Sequence, residues 1–310
     1  MDSGIIASIS IKTGAGADTL KNGFKRAVRN SVVAASRAVP QSVRSGLASS
    51  SYSHLVRRVL NWVNGEGNPV VRIGGPLGGQ SMRVNWALHK TYVFGTHEPG
   101  VVQGLEELVQ PGWTAIDVGA NIGYFTLLMA KRVGPQGKVI AFEPLAENFR
   151  ILQENIQLNN HPNVFAENCA LMNSNERVEL RSATPGAITW VASVRVKQDS
   201  AVESESVEAI SLDEYVAKKG IAKVDFLKID VEGAEEAVLD GAAGVLERDK
   251  PVLLIELHEL DRFKDRHPAI LKLRGHNYQV RSLGIRQWQE HVIGEPLGKS
   301  QMQSERITTS

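Results

Sequence analysis

The stretch Ala115-Ile116-Asp117-Val118-Gly119-Ala120-Asn121-Ile122-Gly123-Tyr124-Phe125 constrains the fold of this chain more than any other. An apolar strand carries a carboxylate near its end, a glycine turn follows, and an apolar helix begins at once. That order opens an α/β sheet whose ligands lie beyond the carboxyl ends of the strands. Downstream the pattern keeps alternating, with strands expected at Thr114–Val118, Lys138–Phe142, Val164–Asn168, Val224–Ile229 and Val252–Leu257. Helices are expected at Gly123–Val133, Leu145–Asn159 and Ala234–Leu246; in the second, Leu145, Phe149, Leu152 and Ile156 share one face of a 3.6-residue period. This spacing predicts a parallel sheet covered on both faces. A polar, β-rich insertion is expected from Asn173 to Ile210, after which Ser211 and Glu214 carry a capping-box pattern that starts a further helix.

The turn also limits the ligand. A dinucleotide fingerprint needs glycines at 119, 121 and 124, but Asn121 and Tyr124 hold two of those places, and Asp117 puts a negative charge where a diphosphate would sit. S-adenosylmethionine reverses that electrostatic argument, because it has no phosphate and carries a sulfonium and an ammonium. Gly119 and Gly123 are read as letting backbone approach the ligand, with Asn121 between them. Glu143 ends the second strand, where an acid can accept hydrogen bonds from both ribose hydroxyls. Asn168 and Cys169 end the third, where an adenine edge and a small apolar contact are expected.

The flanks are less informative. At 310 residues with 42% hydrophobic content and a net charge of +1, the chain is long enough for a large core and has no overall pull toward nucleic acid. Its single cysteine excludes an internal disulfide and a paired-cysteine zinc site, so cytoplasm is the expected compartment. Residues 1–66 form an arm in which Lys21, Lys25, Arg26, Arg29, Arg37, Arg44, Arg57 and Arg58 occur between Asp18 and Glu66 without an acid. It reads as broken helix; a solvated arm, a contact with an anionic membrane surface and an organelle leader are the three readings. Residues 67–112 are expected to cap the core with a small antiparallel meander (Val70–Ile73, Met82–Trp86, Thr91–Phe94) and a helix opened by Glu98 and Pro99. The S-adenosylmethionine-binding domain is expected over 113–295, and a flexible tail over 296–310.

With these pieces in place, the chain resembles the FkbM-type S-adenosylmethionine-dependent methyltransferases. The resemblance rests on Asp117-Val118-Gly119-Ala120-Asn121-Ile122-Gly123, Ala141-Phe142-Glu143-Pro144, Ser211-Leu212-Asp213-Glu214, Lys228-Ile229-Asp230-Val231-Glu232-Gly233-Ala234-Glu235 and Ile255-Glu256-Leu257-His258, in family order. It implies a class I methyltransferase fold, a Rossmann-like, mostly parallel sheet of seven strands. It also implies O-methylation of a hydroxyl on a sugar, glycan or natural product.

An alcohol accepting a methyl group loses its proton as the new bond forms, so a base or a metal is expected at the sheet's carboxyl edge. Lys228, Asp230 and Glu232 follow one strand and Glu256 and His258 the next, and alternation lets the two sets converge if the strands are neighbours. His258, whose ordinary pKa lies near neutrality, is the expected general base; Asp230, Lys228 and Glu232 complete the expected catalytic set. No resident metal is assigned, although Asp230, Glu256 and His258 offer an alternative in which a divalent ion acidifies the hydroxyl. Glu232 and Glu235 also complement the N-terminal dipole of the following helix. The expected partner is a hydroxyl-bearing small molecule or glycan rather than nucleic acid. The competing functions are a nicotinamide-dependent oxidoreductase and a non-catalytic binding module recruited through the basic arm.

Overall fold

The computed structural model describes residues 69–85, 88–182, 203–258, 266–286 and 289–298. The basic arm, the segment 183–202 and the final residues 299–310 lie outside these. Two compact units divide the described chain: 69–79 with 84–96, and 80–83 with 97 onward. No helix among the described residues is long and apolar enough to cross a membrane.

The first unit contains strand β1 (Val70–Arg72), a 3-10 turn (Gly75–Leu77) and helix α1 (Lys90–Phe94). The expected third meander strand, Thr91–Phe94, is therefore helical. Its β-branched and aromatic composition loses to local turn chemistry: Asn85 N donates to His89 Nδ1 at 3.1 Å, and Gly95, with φ +64°, turns its N–H back to Tyr92 O at 3.0 Å. Gly95 also lies against Gly75, so closely that a Cβ on it would stand 2.7 Å from Gly75 Cα.

In the second unit, strand β2 (Ser81–Arg83) runs along a helix described below, and helix α2 (Pro99–Leu108) starts where Glu98 and Pro99 place it. Then come β3 (Thr114–Val118), α3 (Tyr124–Val133), β4 (Lys138–Phe142), α4 (Ala146–Leu158) and β5 (Val164–Glu167), each within a residue or two of its expected bounds. Asn155 of α4 and Asn159 at its C-terminal cap hold β2: their Oδ1 atoms accept from Arg83 N (2.6 Å) and Ser81 N (2.9 Å). β6 (Ala170–Leu171) precedes the expected insertion, which holds β7 (Val178–Ser182), β8 (Glu203–Val207) and β9 (Ala209–Ile210). β7 and β8 pair antiparallel, and Leu145, Ala170, Leu180, Val207 and Ala209 form a small core of their own.

Helix α5 (Leu212–Lys219) follows, then β10 (Phe226–Ile229), α6 (Glu235–Asp240), α7 (Ala243–Arg248), β11 (Val252–Leu257), α8 (Pro268–Gly275), β12 (Tyr278–Arg286) and β13 (Gln289–Pro296). Half of the capping box forms: Ser211 Oγ accepts from Glu214 N at 3.2 Å, while the Glu214 carboxylate turns to Asn175 and Lys218. The single helix expected over Ala234–Leu246 is broken into α6 and α7. A Cβ at Gly241 would stand 1.9 Å from Met172 O, and Asp213 accepts from Gly244 N and Val245 N, both at 2.8 Å, capping α7 afresh.

The main sheet has seven strands in the order β12-β13-β11-β10-β3-β4-β5. β3, β4, β5, β10 and β11 are parallel, and β13 enters antiparallel to both β11 and β12. Alternate residues of the central strands (Ile116, Val118, Leu227, Ile229, Leu253, Ile255) bury one face against Leu212, Val238 and Leu246 of α5, α6 and α7. The chain order reverses between β3 and β10, which puts the ligand crevice at the carboxyl ends of those two strands.

Candidate active site

Two regions meet at this edge. On the β4 side lies a cleft lined by Val118, Gly119, Phe142, Pro144, Cys169 and Ala170 among others, with Val231 and Ala234 also on its wall. Burial pushes the Cys169 thiol up to about 11, so it acts as a neutral, apolar wall. Glu143 sits between two lining residues. Its Oε2 accepts from Asn121 N (2.7 Å) and its Oε1 from Leu145 N (3.0 Å); burial raises its pKa to about 7 despite those bonds.

The expected cofactor residues gather here, with some duties the sequence did not show. Gly119 is needed for a protein contact: with φ +79°, a Cβ there would stand 1.8 Å from Asp230 O. At Gly123, with φ +95°, a Cβ would stand 2.7 Å from Cδ1 of Leu152 in α4, a side-chain end rather than backbone. Asn121 takes a left-handed φ of 51°, which its type tolerates. Asn168 spends its amide on the carbonyls of Glu143 and Pro144, both at 2.9 Å, and so fixes the turn after β4. Asp117 is fully buried; Oδ2 accepts from Thr126 Oγ1 at 2.6 Å, and Oδ1 lies 3.5 Å from Lys228 Nζ. Its charge is thereby met within the protein.

The second region, on the β11 side, is an ion-pair cluster. Lys228, 2% exposed, lies between Asp117 and Asp230, whose Oδ2 is 3.3 Å from Nζ. Burial opposes its charge, but Asp230 and Asp117 outweigh burial and hold its pKa above the usual lysine value. Asp230 is correspondingly held low: burial would raise it, and Lys228 and His258 prevail. Beyond Asp230, Glu232 adopts φ 52° and brings Oε2 to 3.3 Å from His258 Nε2. Burial, helped by neighbouring carboxylates, raises Glu232 to about 7 against the pull of His258.

His258 is not the near-neutral base expected. Its Nδ1 lies 2.6 Å from Oε1 of the buried Glu235; burial disfavours the imidazolium, but Glu235 and Glu232 overcome burial and lift its pKa to about 9. Glu235 also accepts from Gly233 N at 2.9 Å. The four expected catalytic residues thus come together through the β10–β11 pairing, whose register aligns Lys228 with Leu254 and Ile229 with Ile255. Sequence reasoning gave Glu235 only a helix-dipole role and missed Glu98 and His291, which join the cluster through Glu256. Glu98 stood before Pro99 as a helix opener, and His291 belongs to a hairpin whose register no local pattern announces.

A cleft at the β3/β10 crossover, an acid at the end of β4 and an acid–histidine cluster after β10 and β11 coincide with a family match. The profile described as Methyltransferase FkbM domain covers residues 117–280, just over half of the 310. The chain belongs to the FkbM methyltransferase family. It is similar to Methyltransferase 1 of Beauveria bassiana, 33% identical over 142 residues, covering 41% of this chain and 57% of that protein. It is also similar to the 31-O-demethyl-FK506 methyltransferase FkbM of Streptomyces tacrolimicus, 29% identical over 201 residues, covering 56% of this chain and 75% of that one. The crystal structure of Methyltransferase FkbM from Methylobacillus flagellatus KT matches with 18% identity and a TM-score of 0.41, covering 67% of this chain and 53% of that chain. The match spans less than three fifths of the length of relatives such as Methyltransferase 1.

The cofactor of this FkbM-family chain is S-adenosylmethionine, and the residues present fit it. The cleft's apolar walls would suit an adenine ring, and Glu143, between its lining residues Phe142 and Pro144, is the acid that would meet ribose hydroxyls. With Asp117 balanced by Lys228, the acids Asp230, Glu232, Glu235 and Glu256 outnumber His258 and His291 around them, which favours a positively charged ligand. When bound, the cofactor supplies an electrophilic methyl group.

Proposed function

We propose that this chain methylates a hydroxyl group of a sugar, glycan or natural product. The observation that carries this reading is the position of His258 between Glu235 and Glu232 at the sheet's carboxyl edge. Methylating an oxygen requires removal of one proton, and this cluster is built to take it. Glu235, 2% exposed, fixes Nδ1 of His258, so that Nε2 faces Glu232. The Glu232 side chain, 32% exposed, is the group open to an acceptor, and it receives the hydroxyl proton while the imidazolium behind it stabilises the arrangement. Asp117 and Lys228 lie too deep to touch an acceptor and act as the base on which Asp230 is held. The relative from Streptomyces tacrolimicus, named for methylation at an oxygen, supports the same class of reaction.

The test is incubation of the full chain with labelled S-adenosylmethionine and a panel of polyols, oligosaccharides and macrolides, with the product's methyl group located by NMR. An O-methyl signal that disappears in Glu232→Gln is expected. A methyl group on nitrogen or carbon would overturn the reading.

A further inference from the structure

Glu256 lies between two histidines. Its Oε1 is 3.7 Å from His258 Nε2, and its Oε2 is 3.3 Å from His291 Nε2. On the far side of His291, the same Nε2 lies 3.5 Å from Glu98 Oε2. We propose that Glu98, Glu256 and His291 form a binding site for a divalent transition-metal ion of the zinc or manganese kind.

Three observations support the site. The three ligand atoms converge within 4.8 Å of one another. Two edges of that triangle, 3.3 and 3.5 Å, match the edge of about 3.3 Å expected for a tetrahedron with bonds of ~2.0–2.1 Å. Those contacts are ion-pair distances rather than close hydrogen bonds, and the buried His291 Nε2 has no hydrogen-bond partner of good geometry. Glu256 is itself only 5% exposed, and the cationic partners of its charge are the imidazoles of His258 and His291, at 3.7 and 3.3 Å. On binding, His291 would release its proton and offer Nε2 to the ion, which would take the imidazolium's place between the two carboxylates.

The donor set narrows the ion. One imidazole and two carboxylates suit zinc, manganese or iron(II), whereas calcium prefers six to eight oxygens and magnesium keeps most of its water. The neighbouring triad of Asp230, Glu256 and His258 shares Glu256 with this one, so the carboxylate would bridge the two positions. The site proposed here is the outer one, set by residues of α2's N-terminal cap and of β13 that are not part of the methyl-transfer reading.

The experiment uses the full chain, stripped with a chelator and titrated with Zn²⁺ alone and Mn²⁺ alone by calorimetry. Binding of an ion that weakens about tenfold or more in both Glu98→Gln and His291→Gln, with S-adenosylhomocysteine binding retained, is expected. X-ray absorption of the loaded protein should show one nitrogen and two carboxylate ligands. Glu98→Gln, a nearly isosteric change, serves on its own if the histidine variant does not fold. Affinity unchanged in Glu98→Gln, or lost in Asp230→Asn alone, would place any ion elsewhere and overturn the proposal, as would the absence of binding to the native chain.

Discussion

Oε1 of Glu235 lies 2.6 Å from Nδ1 of His258, although the two residues are 23 positions apart. Both are buried, so the pair fixes the ring's orientation and charge together. Glu235→Gln keeps the shape and removes the charge. Turnover is expected to fall about 10- to 100-fold, as for other orienting partners of a functional histidine, with S-adenosylhomocysteine affinity unchanged. In an NMR titration the His258 ring of the variant should titrate below its native value of about 9. A ring that titrates as before would show that Glu235 is a bystander.

Cofactor affinity should depend on pH through Glu143, whose pKa is raised to about 7 by burial. The carboxylate accepts ribose hydroxyls better than the acid does, so binding should strengthen as pH rises through 7. Calorimetry between pH 8 and pH 6 is expected to show a loss of up to about tenfold in the native chain. The same series on Glu143→Gln should be flat; a slope that survives the substitution assigns the effect to another group.

Gly119→Ala should destabilise the fold by about 3 kcal/mol or more, since the new methyl meets a carbonyl and φ is +79°. Urea denaturation would read this directly. A loss confined to cofactor affinity, without loss of stability, would restore the ligand as the reason for this glycine.

Lys228→Met leaves Asp117 and Asp230 facing each other without their common cation. The expected cost is about 3–5 kcal/mol, the usual result of breaking a buried pair from one side. Adding Asp117→Asn should recover part of it. If the double variant is as unstable as the single one, Asp117 is not the partner that matters.

The Asp213 cap predicts a smaller effect. Asp213→Ala removes both acceptors of Gly244 N and Val245 N, and a loss of about 1–2 kcal/mol in thermal or urea unfolding is expected. Asp213→Asn should retain a good part of that stability; if Asp213→Ala unfolds like the native chain, the break between α6 and α7 is held by Gly241 and Met172 alone.

The parallel strands were legible because their residues carry the pattern themselves: Thr114–Val118, Lys138–Phe142 and Val252–Leu257 are apolar runs bounded by turns. Thr91–Phe94 misled because four strand-favouring residues can be outvoted by one histidine and one left-handed glycine. The break at Gly241 was hidden because its cause, Met172 O, lies 69 residues earlier. The same distance effect separates what could be read of the site from what could not. Asp230, Glu232 and His258 announce themselves at strand ends, whereas the pKa of His258 depends on Glu235, and the role of Glu256 depends on Glu98 and His291 arriving from other elements.

The antiparallel entry of β13 carries a consequence in time. Its register places His291 opposite Glu256, so the carboxylates Glu98, Asp230 and Glu256 are all made before their second imidazole. Without the last hairpin, Glu256 would keep His258 and Glu98 would keep His97, and the imidazole that the two carboxylates share would be missing. The hairpin therefore acts as a closing clasp on the charge cluster as well as on the sheet.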